Sequence, residues 1–276
     1  MTTDNNLLLD YTLSLADNAL IIGHRLSEWC GHGPILEQDI ALTNTSLDHL
    51  GQARSLYQYA AEQVNALGAD AEQKLFSSES LQANIASGNV IDEDDLAYLR
   101  DAWDFKNLLL AEQPNKDWAY TVARSMYFDI FQYFLFKNLV NSKDVTIAAI
   151  AEKSLKEVEY HKRWSSEWVI RLGDGTEESR HRMQTAINDL WPYTGEMFKM
   201  NRTDVAMLAA GIGADLESIK TLWLEEIVAV LEQATLEMPA QGWMHEGGKE
   251  GRHSEHLGYV LAELQFMQRA YPNHEW

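Results

Sequence analysis

An all-α helical bundle is the fold this sequence predicts, on three observations. Apolar residues recur at helical spacing along segments with few breakers, with 5 Pro in 276 residues and 46% hydrophobic content. Gly and Pro punctuation isolates four segments long enough to cross a large bundle. A constant offset relates two helix pairs: adding 112 to 17, 46 and 49 gives 129, 158 and 161. One domain over residues 1–276 is expected, with a bundle core over 5–172 and additional helices over 176–276.

The first helix is expected to start after the capping residues Asp4 and Asn5 and to end near Trp29. Gly31, Gly33 and Pro34 stop it, because Gly accepts a left-handed cap and Pro cannot continue the ladder. So short a loop returns the chain antiparallel through a second helix, Leu36 to Leu67, with Ile40, Leu47, Leu50, Tyr57 and Val64 as its apolar stripe. At ~1.5 Å per residue that helix is about 45 Å long. From Gly68 to Gln113 shorter helices are expected, one opening on the acidic turn Asp92 to Asp95, which suits the helix dipole.

Pro114 and Asn115 precede a third long helix, Asp117 to Val140. Tyr120, Tyr127, Phe128, Phe131, Tyr133, Phe134 and Phe136 make it apolar on nearly every side, so neighbouring helices or another subunit should bury it. Asn141 to Asp144 turn into the fourth, ending at Leu172, with Ile147, Ile150, Ser154, Val158, His161, Ser165 and Trp168 on one face. Thr176 is a good N-cap, and later helices are expected over 177–199, 204–210, 215–236 and 255–271.

The offset relates two triads, Asp17, Ser46, His49 and Asp129, Val158, His161. A four-helix di-iron site takes a carboxylate from one helix and Glu-x-x-His from its antiparallel partner, twice over. Here Ser46 and Val158 stand where the two glutamates are required. The spacing therefore reads as a di-iron scaffold whose site has been removed. Without glutamates to bridge two ions, oxygen activation is not expected, and no catalytic, cofactor-binding or metal-ligating residue is assigned. A single ion held by the two Asp and two His is the alternative. The plainer reading leaves His49 at the surface and pairs a buried His161 with Glu157, one turn earlier.

Other candidates are weaker. Gly247 to Arg252, with Lys249 and Arg252, has the glycines of a phosphate cradle but not the Walker spacing, so an ordered connector or subunit contact is preferred. His245, His253, His256 and Glu255 lie around a helix start that Ser254 would cap, without a complete zinc ligand set. Trp164 and Trp168, one turn apart among 9 Trp, suit a core or an extensive subunit interface.

Charge and composition narrow the class further. A net charge of −20 and no basic patch argue against nucleic acid as partner. Cys30 is the only cysteine, which excludes an intrachain disulfide. No basic n-region near Met1 suggests a signal peptide, and no uncharged apolar run reaches the ~18–20 residues of a membrane span, so a cytoplasmic location is expected.

Several stretches together carry a resemblance that runs nearly end to end. They are Arg25-Leu-Ser-Glu-Trp-Cys-Gly-His32, Asp39-Ile-Ala-Leu42 with Leu47, Leu50-Gly-Gln-Ala-Arg54, and Asn107-Leu-Leu-Leu-Ala-Glu-Gln-Pro-Asn115. Tyr160-His161, Met183-Gln-x-Ala-Ile-Asn188, and Gly247-Gly-Lys-x-Gly-x-His253 followed by Glu255-His-Leu-Gly258 complete the set. The chain resembles the C subunits of bacterial phenylacetyl-CoA epoxidases, which are multicomponent monooxygenases. The resemblance implies a ferritin-like fold and a non-catalytic, structural role beside a homologous A subunit that carries the di-iron centre. It further implies a reductase subunit that passes electrons from NADPH through flavin and iron–sulfur groups, a small connecting subunit, and ring epoxidation of phenylacetyl-CoA in aerobic phenylacetate breakdown. No cofactor is implied in this chain. A metal-binding oxygenase using the residual Asp and His, or an acyl-CoA-binding regulatory module, are the competing expectations.

Overall fold

In a computed structural model, residues 5–67, 76–271 and 274 are described; Asp4, expected as a cap, and the start of the crossover at Gly68 lie outside them. Four long helices dominate: α1 (Asn5–Ser27), α2 (Leu36–Leu67), α5 (Trp118–Leu139) and α6 (Val145–Gly173). The crossover carries α3 (Glu79–Ala86) and α4 (Glu93–Tyr98). The C-terminal part adds α7 (Glu177–Leu190), α8 (Arg202–Ala210), α9 (Leu216–Gln233), α10 (Glu255–Leu264) and α11 (Phe266–Ala270). No strand occurs among the described residues. The hairpins α1–α2 and α5–α6 meet along α2 and α6, giving a ferritin-like bundle.

Local chemistry sets the boundaries. Gly31, at φ 81°, follows α1 in the left-handed conformation that favours glycine. Asp92 caps α4 in a reciprocal capping box with Asp95. Asp117 caps α5 by accepting from the Tyr120 amide, Asp144 caps α6 by accepting from those of Thr146 and Ile147, and Thr176 caps α7 by accepting from that of Ser179. The helix expected over 177–199 stops at Leu190, because Pro192 in the next turn has no amide to continue the ladder. The segment expected as one helix over 255–271 breaks at Gln265, whose side-chain amide donates to the carbonyls of Ala97 and Arg100.

The aromatic helix α5 is buried inside this chain rather than left for a partner. It packs against α6, α7 and α9. Trp223 of α9 donates its indole N–H to the Tyr127 carbonyl at 2.9 Å, while Trp191 stacks on Trp223 at 5.9 Å. Trp164 and Trp168 of α6 both donate to the Gln38 side-chain carbonyl, at 3.0 and 2.8 Å, and both lie edge-on to Trp118.

The apolar stripe expected on α2 holds only at its C-terminal end, where Tyr57 and Val64 are buried. Ile40 and Leu47 face outward, Leu47 at 60% exposure, together with Leu36 at 72%. Apart from Leu42, the inward face of this part of α2 is polar, carrying Thr45, Ser46, His49 and Gln52. Burying those groups and exposing aliphatic side chains reverses the usual assignment, and Thr45 Oγ1 and both His49 nitrogens are buried without a hydrogen-bond partner.

Candidate metal centre

The two triads related by the 112-residue offset do not meet as two equivalent halves. Asp17 is turned away from His49 into a separate, fully buried ion pair with Arg100 of the crossover. Tyr57 donates to the same carboxylate at 2.5 Å, and the Lys106 amide donates at 2.7 Å. Arg100 also covers the Phe105 ring at 4.3 Å and donates to the Leu96 and Asp104 carbonyls. Burial and the neighbouring Asp17 push the Tyr57 phenol well above its usual range. Asp17 is therefore structural: it ties the crossover to α1 and is spent on Arg100.

The α1 residue opposite His49 is Gly23, and a side chain there would press on the His49 Cβ at 3.2 Å. Ser46, one turn before His49, donates its hydroxyl to the Gly23 carbonyl at 2.7 Å. A glycine against a serine lets α1 and α2 approach closely and leaves no carboxylate on this side. On the other side Val158 is fully buried among apolar neighbours.

What the fold does assemble is His49 from α2, Asp129 from α5 and His161 from α6. One ligand atom from each lies within 4.8 Å of the other two, and all three residues are buried. His49 and His161 rings stand 4.8 Å apart, with Phe128 against the His49 ring. Both ring nitrogens of His49, Nδ1 of His161 and Oδ2 of Asp129 are buried without a hydrogen-bond partner. Buried polar groups are nearly always partnered, so four such atoms at one point call for an account.

Burial disfavours the charged form of both His49 and Asp129 here. Burial, and then the positive charge that His161 would add, hold the His49 imidazole well below its usual pKa, so it is neutral. Burial raises the Asp129 carboxyl to about 6 against the opposing pull of His161, Ser165 and Arg124. His161 is oriented from outside the cluster: its Nε2 lies 3.0 Å from the half-exposed Asp48 carboxylate. In the tautomer that donates Nε2–H to Asp48, the lone pair sits on Nδ1, the nitrogen that is buried without a partner. Glu157, expected as the His161 partner, instead accepts from Gln52 at 3.0 Å, and Gln52 accepts from Gln132 at 3.1 Å.

These residues do not fit a di-iron centre. Such a site takes four carboxylates and two imidazoles, and one carboxylate with two imidazoles cannot bridge and neutralise two ions. Ser46 is engaged with Gly23, Val158 has no donor atom, and Asp17 belongs to Arg100.

The remaining candidates resolve into structural contacts. The glycine loop does bind an anion, but the anion is the chain's own Glu196. The Gly247 and Gly248 amides each donate to it at 2.6 Å, and the Leu109 amide at 3.0 Å. Burial raises the Glu196 carboxyl, while these amides and Lys249 work to lower it. Lys249 itself bonds Asp204 and the Lys199 carbonyl. His253 bridges Glu112 and the Phe105 carbonyl, His245 stacks on Tyr193 at 4.2 Å, and Ser254 caps α10. His49–Asp129–His161 is the only group of this kind among the described residues.

Sequence reasoning missed Asp48, Arg100 and Glu196. Arg100 and Glu196 lie in irregular or 3₁₀ segments where no periodicity reports on neighbours. Asp48 had one available signal, since it precedes His49 on α2, but its partner is 113 residues away.

The family model described as "Phenylacetic acid catabolic protein" matches residues 1–276. A curated relative, the C subunit of the 1,2-phenylacetyl-CoA epoxidase of Escherichia coli (strain K12), is 43% identical over 271 residues, covering 98% of this chain and 100% of the relative.

Proposed function

The chain belongs to the phenylacetic acid catabolic protein family, and we propose that within it the chain is a non-catalytic structural subunit of a phenylacetyl-CoA ring-epoxidising monooxygenase. Its partner is a homologous A subunit that carries the di-iron centre, and the electrons arrive from NADPH through a flavin and iron–sulfur reductase subunit. The complex works in the cytoplasm, in aerobic phenylacetate degradation. One observation carries the reading: the bundle centre has one carboxylate where a di-iron oxygenase needs four. Dioxygen activation by this chain would have no pair of ions to act on.

Support for a partner comes from α2. Leu36, Ile40 and Leu47 share one face at helical spacing and stay exposed, with Ile35 beside them. A subunit needs a surface for its neighbours, and contiguous exposed aliphatic residues are the kind that association buries. That face, rather than the aromatic helix α5, is the surface for the A subunit. An acyl-CoA-binding role finds no phosphate cradle in the glycine loop, whose amides are taken by Glu196.

Reconstitution tests the proposal. The purified chain alone should turn over no phenylacetyl-CoA. Addition of the homologous di-iron subunit and reductase should give epoxide, with turnover falling when this chain is omitted. The substitution His161→Leu should leave turnover of the assembled complex largely intact while altering the stability of this chain. Epoxide formed by this chain without the di-iron subunit would overturn the reading.

A further inference from the structure

The bundle centre that is too poor for two ions has the donors for one. We propose that His49, Asp129 and His161 hold a single divalent first-row transition-metal ion, of the zinc or iron(II) class, as a structural cross-link between α2, α5 and α6. The inference does not rest on the assembly described above, because it concerns this chain's own side chains.

Three features carry it. The donors converge: one ligand atom from each residue lies within 4.8 Å of the others. Tetrahedral bonds of about 2.1 Å place donors ~3.4 Å apart, so binding needs the widest pair to close by roughly an ångström or more, within reach of side-chain rotation. By hydrogen-bond geometry both His49 nitrogens, His161 Nδ1 and Asp129 Oδ2 have no partner, with the Gln52 and Ser165 side chains near enough to His49 and Asp129 to bias them without closing a bond of good geometry. A neutral imidazole carries one lone pair beside its one N–H, so each histidine can present a lone pair toward the Asp129 carboxylate oxygen, and a cation is a group that satisfies three such atoms at once.

The third feature is the support behind the donors. Metal-bound histidines usually donate their second N–H to a carboxylate, which fixes the tautomer and raises ligand basicity. His161 can take that arrangement, with Asp48 3.0 Å from Nε2 and the other ring nitrogen, Nδ1, buried without a partner. Two neutral imidazoles and one carboxylate suit zinc and iron(II) better than magnesium or calcium, which prefer all-oxygen cages. The ion would stand among α2, α5 and α6, where Asp129 is fixed by a helix buried on all sides. A structural ion here replaces the organising role of a di-iron centre without its redox chemistry.

Zinc and cobalt(II) are the probes. The full-length chain, stripped with chelator and equilibrated long enough for a buried site to exchange, should take up one zinc per chain and unfold at higher temperature. Cobalt(II) should give visible d–d bands of a nitrogen- and oxygen-ligated ion. Asp129→Asn and His49→Gln should abolish stoichiometric uptake, and Asp48→Asn should weaken affinity by about 10–100-fold. His32→Gln, at an exposed position, should change nothing. Should Asp129→Asn fail to fold, uptake by the unsubstituted chain and the Asp48→Asn shift still decide the matter. No uptake by the unsubstituted chain, as expected if a water or shared proton satisfies the acceptors, would overturn the proposal. So would uptake that is indifferent to Asp129, His49 and Asp48, which would mark an adventitious surface ion.

Discussion

Arg100 and Asp17 show how one contact reassigns a residue that spacing had placed elsewhere. Both are fully buried, and every other polar contact to the pair (Tyr57, the Lys106 amide, the Leu96 and Asp104 carbonyls) comes from this chain. Removing one partner strands the other charge in an apolar setting, which typically costs about 3–5 kcal/mol. Arg100→Met should therefore destabilise the chain by about that much in denaturant titration, and the double substitution Asp17→Asn with Arg100→Met should recover part of the loss. Asp129 poses the opposite problem, a buried carboxyl with no cationic neighbour in contact. Its pKa rises from 3.8 to about 6, so the folded state prefers the protonated form. That preference contributes stability below 3.8 and is lost as pH rises through about 6. In the metal-free chain, Asp129→Asn should gain stability relative to the parent between pH 4 and pH 7, by up to about 3 kcal/mol. A stability difference constant across that range in urea titrations would contradict the assignment.

Among elements, the long helices owe their ends to caps and their positions to close approach. The end of α6 is a case in point. A side chain at Gly173 would collide with the Ala234 carbonyl oxygen and meet its Cβ at 2.9 Å, where the chain after α9 crosses the last turn of α6. Neither backbone can yield without moving a helix, unlike the far end of a flexible side chain. Gly173→Ala should lower stability by roughly 1–3 kcal/mol through overpacking, and calorimetry should show it as a lower melting temperature. Gly51 on the open face of α2 meets nothing within 4 Å. Gly51→Ala should be neutral or slightly stabilising in the same measurement, because Ala is about 1 kcal/mol the better helix former.

At the scale of the whole molecule, the distribution of apolar residues separates what the chain completes by itself from what it offers. Helix α5 looks like an interface in sequence but is closed over by α6, α7 and α9. The outward residues Leu36, Ile40 and Leu47 look like core in sequence but are left open. Ile40→Asp with Leu47→Asp should leave the melting temperature within a few degrees, because neither side chain packs on the core. The same pair should abolish co-elution with the di-iron subunit in size-exclusion chromatography. Unchanged co-elution would place the contact elsewhere.

Helix periodicity, breakers and caps were legible along the chain because they depend on residues within a turn or two of one another. Leu36 to Leu67 and the caps at Asp117, Asp144 and Thr176 could be read that way. The inward placement of His161 and Val158 could also be read, since α6 keeps a regular stripe. Which acid faces which base could not. Asp17 and Asp129 occupy matching positions in two hairpins, yet an arginine from the crossover takes one and leaves the other facing two imidazoles. Periodicity sets the direction of a side chain about its own helix axis. The partner it meets is settled only when elements 80 or more residues apart pack together, as Arg100 does on Asp17.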